Sequence, residues 1–236
     1  MLTKAKGERL PLTIPLLHRV LTALPEVFPL MPCHDRHAYE CALTNGVYRM
    51  LRASEQMAPS PTRYDQDKTA LGWDLKLQGA TYTFTIKAAK NDPFRISHTV
   101  EVYATNTEWC PVATARRWME HRKAPMDAPL FTLSNNKFMT RTSLSHVIQK
   151  CIAHLGLPEK KYKSHSLRGG GAVSMAAAGF GAFVPAAGRW KSDAYLKYLK
   201  SVPPSQMAHV MQKMARLATR DVRHQHEQLY QERFTM

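Results

Sequence analysis

Apolar residues in "LPLTIPLLHRVLTAL" (10–24) recur at three- and four-residue intervals, the mark of one helix face, and Pro25 and Pro29 punctuate the segment after it. The same period runs through "RHAYECALTNGVYRMLRASEQM" (36–57), apolar at 39, 42, 43, 47, 50 and 51, with Asp35 placed to cap a long helix. A Pro-rich polar stretch, "APSPTRYDQDKT", ends it. The rhythm then shortens to two. "GWDLKL", "TYTFTIKA" and "RISHTVEVYA" alternate apolar and polar positions around turns at Gln78-Gly79 and Asn91-Asp92-Pro93. They predict a small antiparallel sheet of two or three strands.

From Pro111 the helical period returns. Pro111 suits the first position of a helix over "VATARRWMEHR". Thr140 caps "RTSLSHVIQKCIAHL", which Gly156 ends. "SHSLRGGGAVSMAAAG" predicts a helix of small residues that packs closely, and "KSDAYLKYLKS" a short one stopped by Pro203-Pro204. There is no internal repeat. The fold class predicted is mainly α (α+β): a helical domain over residues 1–204 with an inserted small antiparallel β-sheet. Residues 205–236 form one charged helical tail rich in Met and His.

At 236 residues and 44% hydrophobic content the chain has material for one real core. Charge changes the picture more. Lys plus Arg number 33 against 18 Asp plus Glu, a net +15 before any of the 11 histidines is counted. Such an excess points to a polyanionic partner, most often nucleic acid, because neutralising phosphates releases condensed counterions. No apolar run approaches the roughly 18 residues of a membrane span, and no signal-peptide core follows Met1. Cys33, Cys41, Cys110 and Cys151 are scattered, which reads as reduced thiols in an intracellular protein. Cys33 with His34 and His37 lacks the second ligand pair of a structural zinc site, so no metal is expected.

Four features remain to be explained together: Arg52 and Glu55 in "YRMLRASEQM"; Lys90 in "TIKAAKNDPFRISHTV"; His165 and Arg168 in "KSHSLRGGG"; and Trp190, Tyr195 and Tyr198 in "GRWKSDAYLKYLKS". Singly each has a plain reading: a surface ion pair, a solvated hairpin lysine, a capping histidine, a packed helix face. Jointly they form a kit for phosphoryl transfer without metal. Two arginines clamp the non-bridging oxygens of a phosphodiester. An imidazole and an indole N–H add donors where charge develops. A tyrosine serves as covalent nucleophile, and a lysine protonates the leaving oxygen.

With these residues in view, the sequence resembles the catalytic domain of the tyrosine recombinases (phage-integrase family), nearest to the eukaryotic Crypton and DIRS-type mobile-element enzymes. The matching pieces are "RLPLTIPLLHRVLTAL", "AYECALTNGVYRMLRASEQ", "IKAAKNDPF", "HSLRGGGAVSMAAAG" and "GRWKSDAYLKYL", in family order over about residues 9–201. The resemblance implies that Arg52 and Arg168 are the phosphate clamp and that Glu55 supports them. It makes Lys90 the general acid of the β-hairpin and has His165 assist proton transfer. Trp190 stands where many relatives have His and others Trp, and Tyr198 falls at the nucleophile. No cofactor is implied.

Two departures leave rivals open. The segment between Arg52 and Lys90 is longer than in compact relatives, which keeps Lys87 as a rival lysine. Trp190 and Tyr198 are eight residues apart, one fewer than the commoner spacing, which keeps Tyr195 as a rival nucleophile. Relatives usually carry an N-terminal core-binding domain that completes a clamp around the duplex, and here that half is expected to be absent.

The function expected is cleavage and rejoining of double-stranded DNA through a 3′-phosphotyrosyl link, in site-specific recombination or integration of a mobile element. The alternative is a non-catalytic DNA-binding protein derived from such an element. Family behaviour implies a homotetramer on DNA, with the 205–236 tail docking into a neighbouring subunit or capping its own. The expected compartment is the nucleus in a eukaryote and otherwise the cytoplasm or nucleoid.

Overall fold

The computed structural model describes residues 9–87, 97–105, 107–190 and 192–196. The chain divides into two compact units, Met1–Gly171 and Ala172–Met236. In the first, helix α1 (Ile14–Val27) buries Leu17, Val20, Leu21 and Leu24 along the face its leucine spacing predicts, and it runs two residues past Pro25. Helix α2 (Cys33–Tyr48) is buried continuously from Ala38 to Val47. Burial on all sides makes it the central helix, whatever its polar content. α1 packs against α2 and α5 (Arg141–His154), and α2 also packs against α4 (Pro111–His121).

The expected helix over 36–57 differs from the observed one at both ends. α2 starts at Cys33, so Asp35 sits in its first turn rather than capping it. The Asp35 carboxylate instead accepts hydrogen bonds from the Ser134 amide (2.6 Å) and hydroxyl (2.9 Å), tying α2 to the distant 134 loop. At the other end α2 stops at Tyr48, Met50 takes a left-handed backbone conformation (φ 49°), and a separate short helix α3 (Ala53–Gln56) comes next.

The sheet has three antiparallel strands, β1 (Leu75–Gln78), β2 (Thr81–Ile86) and β3 (His98–Tyr103), in the order β1-β2-β3. Leu75 faces Phe84, and Phe84 faces Val100. β2 alternates as its sequence does, with Tyr82, Phe84 and Ile86 buried and the residues between them half-buried. Residues 72–74 of the first expected strand form a single tight turn instead. Pro111 opens α4, and the Thr140 hydroxyl accepts from the Ser143 amide at 3.2 Å to cap α5, both as the sequence predicts. Gly156 then takes φ 72°, the left-handed geometry that ends a helix.

Two kinds of contact hold sheet and helices in place. Trp118 of α4 is fully buried against His34 and Phe131, its indole N–H donating to the Leu130 carbonyl at 3.2 Å. A buried polar chain runs the other way. The Tyr82 hydroxyl donates to Asn45 Oδ1 (2.9 Å), Asn45 Nδ2 to Gln56 Oε1 (3.2 Å), and Gln56 Nε2 to the Ala42 carbonyl (3.2 Å). This chain links β2, α2 and α3 through side chains that would be costly to bury unpaired. Burial also pushes the Tyr82 phenol well above its usual range.

Helix α6 (His165–Met175) leads from the first unit into the second. The helix expected to reach Gly179 gives way at Ala176 to a wide turn in which Gly179 has φ 92°. A tight turn (Gly181–Phe183), the short helix α7 (Val184–Ala187) and a last tight turn (Asp193–Tyr195) complete the described part of the second unit. The stretch His165–Ala187, at 23 residues and mean hydropathy 1.4, is long and apolar enough for a membrane span, contrary to the sequence reading. Its backbone turns at Gly179, and Arg168 lies in its first third. The helical tail expected over 205–236, with the boundary at 204, lies outside the described residues.

Candidate active site

The site begins where α2 ends. Glu55, whose side chain is fully buried, takes the Arg52 amide N–H on Oε2 (2.8 Å) and Arg52 Nη1 on Oε1 (2.9 Å). One carboxylate thus caps α3 and fixes the guanidinium next to it. Arg52 keeps 23% of its side chain exposed.

Arg168 reaches the same place from the far end of the chain. It is 1% exposed, and its Nη1 donates to the Met50 carbonyl at 2.6 Å, two residues from Arg52. The left-handed conformation at Met50 sets the course of the backbone there; a non-glycine residue with φ near +50° is uncommon and strained. The Gly169-Gly170-Gly171 run explains how α6 comes so close. A Cβ on Gly170 would lie 1.7 Å from the Leu12 carbonyl oxygen, and one on Gly171 2.2 Å from that of Val47. The Leu12 amide donates to the Ser166 carbonyl (2.9 Å), which seats the N-terminal segment along α6. His165 begins α6 and is exposed, and Arg168 lies one turn later on the same side. The fold therefore brings Arg52, Glu55 and Arg168 together around residue 50, with His165 one turn from Arg168.

The lysines separate. Lys87 comes just after β2, and its ammonium bridges the Asp74 carboxylate (3.1 Å) and the Gln66 carbonyl (2.8 Å). Lys90 lies outside the described residues.

Trp190 and Tyr195 belong to the second unit. "GRW" ends α7 in a paired-bond cap: the Arg189 amide donates to the Ala186 carbonyl (3.1 Å) and the Trp190 amide to that of Pro185 (2.9 Å). Arg189 takes φ 57°, the left-handed step this motif requires. Gly188 carries no Cβ because the Trp190 ring occupies that space, 1.5 Å from where the atom would be. The Tyr195 ring packs beside Trp190, centroids 6.2 Å apart. Tyr198 lies outside the described residues.

Sequence reasoning missed Met50, because nothing local marks a methionine as left-handed. It also missed Asp74, whose only signal was its place just before an alternating strand. Near the start of α2, Cys33 Sγ lies 3.2 Å from His37 Nε2, but among the described residues no group of three His, Cys, Asp or Glu side chains is placed to hold a metal.

The described residues form a helical body with an inserted three-stranded sheet, with Arg52 opening α3 and Arg168 carried on α6. Two solved structures of XerH, a site-specific recombinase bound to its difH substrate, share that fold. The post-cleavage complex on palindromic difH superposes with a TM-score of 0.61 at 17% identity, covering 87% of this chain and 54% of XerH. The pre-cleavage complex gives 0.60 at 18% identity, covering 84% and 52%. This chain thus spans about half the length of the XerH chains it matches. No protein-family model matches the sequence, and no curated protein does.

Proposed function

We propose that this chain breaks and rejoins DNA strands through a tyrosine nucleophile. The observation that carries the reading is the meeting of the two arginine motifs: Arg168 is anchored on the Met50 carbonyl, two residues from Arg52, which Glu55 holds. Two guanidiniums fixed this way suit the non-bridging oxygens of one phosphodiester, whose charge grows during attack. The fold shared with a recombinase supports the same chemistry.

In this reading the Tyr198 phenolic oxygen attacks phosphorus and the bond to the 5′ oxygen breaks. That oxygen takes a proton from Lys90, leaving a 3′-phosphotyrosyl link and a 5′-hydroxyl. A second strand's 5′-hydroxyl reverses the step. The ester energy is kept in the link, so the cycle needs no ATP and no metal. His165 assists proton transfer and the Trp190 indole N–H steadies the phosphate. Tyr195, packed on Trp190, is the neighbour rather than the nucleophile. A homotetramer on two duplex sites, the work of a mobile element and a nuclear setting in a eukaryote are carried by the motif resemblance, and the net charge of +15 suits the duplex.

The test is covalent trapping on a nicked suicide substrate, read on a denaturing gel. The wild-type chain is expected to form an adduct, Tyr195→Phe to retain it, and Tyr198→Phe to lose it. Arg52→Ala and Arg168→Ala are each expected to slow trapping by about 10²–10³-fold, the usual scale for removing one preorganised donor. If the chain forms no adduct, alone or fused to a core-binding domain, and gives only salt-sensitive shifts, it binds DNA without cutting it.

A further inference from the structure

We infer that Gln56, seated over Gly46 of α2, is a positioning residue that sets the spacing of the two clamp arginines. The inference rests on the strand-cleavage reading above. Arg52 and Gln56 stand at the two ends of one short turn, Arg52 as the cap of α3 and Gln56 as its last residue. Glu55 fixes Arg52 to α3, but Glu55 is itself a residue of α3. Where the Arg52 guanidinium stands relative to Arg168 therefore depends on how α3 is seated on α2.

Gln56 supplies that seat. It is 1% exposed, its Oε1 accepts from Asn45 Nδ2 and its Nε2 donates to the Ala42 carbonyl, both at 3.2 Å. The Tyr82 hydroxyl holds Asn45 in turn at 2.9 Å, so the amide directions are set from the sheet inward. A matched pair of buried polar groups adds little net stability over an apolar pair of the same shape. What it adds is direction, because a flipped amide would set donor against donor and oxygen against oxygen.

Gly46 brings the second arginine to the same seat. A Cβ there would lie 3.1 Å from Gln56 Nε2 and 2.7 Å from Leu167 Cδ1, so both side chains rest on bare backbone. Leu167 is 1% exposed and immediately precedes Arg168 on α6. The Gly46 carbonyl also accepts the Leu51 amide at 3.0 Å, just before Arg52. One residue of α2 thus meets the chain neighbours of both arginines, and the bond from Arg168 to the Met50 carbonyl closes the arrangement. Two guanidiniums that share one phosphodiester must be spaced to its oxygens. A misplacement of about 1 Å, even far from the chemistry, can cost on the order of 10²-fold in rate.

The experiment is a double-mutant cycle on the rate of covalent trapping by the full chain at saturating suicide substrate, followed long enough to resolve the slow Arg52→Ala background. Gln56→Met keeps the bulk of the side chain and removes both hydrogen bonds. With Arg52 present it is expected to slow trapping by about 10–100-fold, while affinity in a mobility shift stays at the wild-type value. In the Arg52→Ala background, where no guanidinium is left to place, the same change should cost no more than about twofold. Tyr82→Phe, which releases Asn45 at the far end of the chain, should show a smaller loss with the same dependence on Arg52. It replaces Gln56→Met should that variant unfold.

A loss of equal size in both backgrounds would make Gln56 merely structural and overturn the inference. A loss confined to DNA affinity would do the same, as would an absence of any loss in a wild-type chain that forms the adduct. A wild-type chain that forms no adduct overturns the strand-cleavage reading and this inference with it.

Discussion

Met50 is the residue on which the site turns, and its cost and its worth can be compared. A left-handed conformation costs a non-glycine residue about 1–2 kcal/mol. Its side chain is 2% exposed and lies against Gly171, and truncating such a buried side chain costs about 2–5 kcal/mol. The second term wins, so Met50→Gly should destabilise the protein by about 1–3 kcal/mol in urea unfolding despite relieving the backbone. The same residue shows why the sequence misled: Met50 and Leu51 are both buried, and apolar spacing reports burial rather than backbone direction. A turn buried at helical intervals reads as more helix. The structure sorts the four cysteines by exposure. Cys33 is exposed while Cys41, Cys110 and Cys151 are buried, and burial pushes the Cys151 thiol up to about 12 and that of Cys41 higher. Cys110 differs, because hydrogen bonds from Thr105, Val112 and Ala113 outweigh its burial and hold its thiol below the usual range. At pH 8 a disulfide reagent should therefore titrate exposed Cys33 rapidly in the native protein, and Cys41 and Cys151 only in denaturant.

Among the elements, α6 and the cap of α7 depend most on missing side chains. Gly170→Ala would put a methyl 1.7 Å from a backbone oxygen that has no free rotamer to give way. Overpacking of this kind costs about 1–3 kcal/mol or more, roughly 2–10 °C in melting temperature for a chain of this size. The obstacle at Gly188 is a ring rather than backbone, so Gly188→Ala should displace the Trp190 indole and change its fluorescence, with a smaller shift in melting. Strand alternation, the Pro111 start and the Thr140 cap were all readable, because each is a local rule met by local residues. The early end of α6 was not. Ala176, Ala177 and Ala178 favour helix, and only the φ of 92° at Gly179 shows where the backbone turns.

Over the whole molecule, the charge of +15 sets what the proposed binding to DNA should look like. If six or more phosphates are neutralised, affinity should fall by about 10³-fold or more between 50 and 200 mM salt. A mobility-shift titration at several salt concentrations measures this, and an affinity indifferent to salt would rule out a phosphate-dominated interface. The contact between Arg168 and the Met50 carbonyl closes a loop of 118 residues. Contacts between such distant segments form only after the entropy of closing the loop has been met, and so they belong to the late part of folding. A nascent or locally melted chain carries both arginines but not the clamp. On the strand-cleavage proposal, the arrangement around residue 50 is thus tied to completion of the fold, and molecules lacking this long-range contact should be inert.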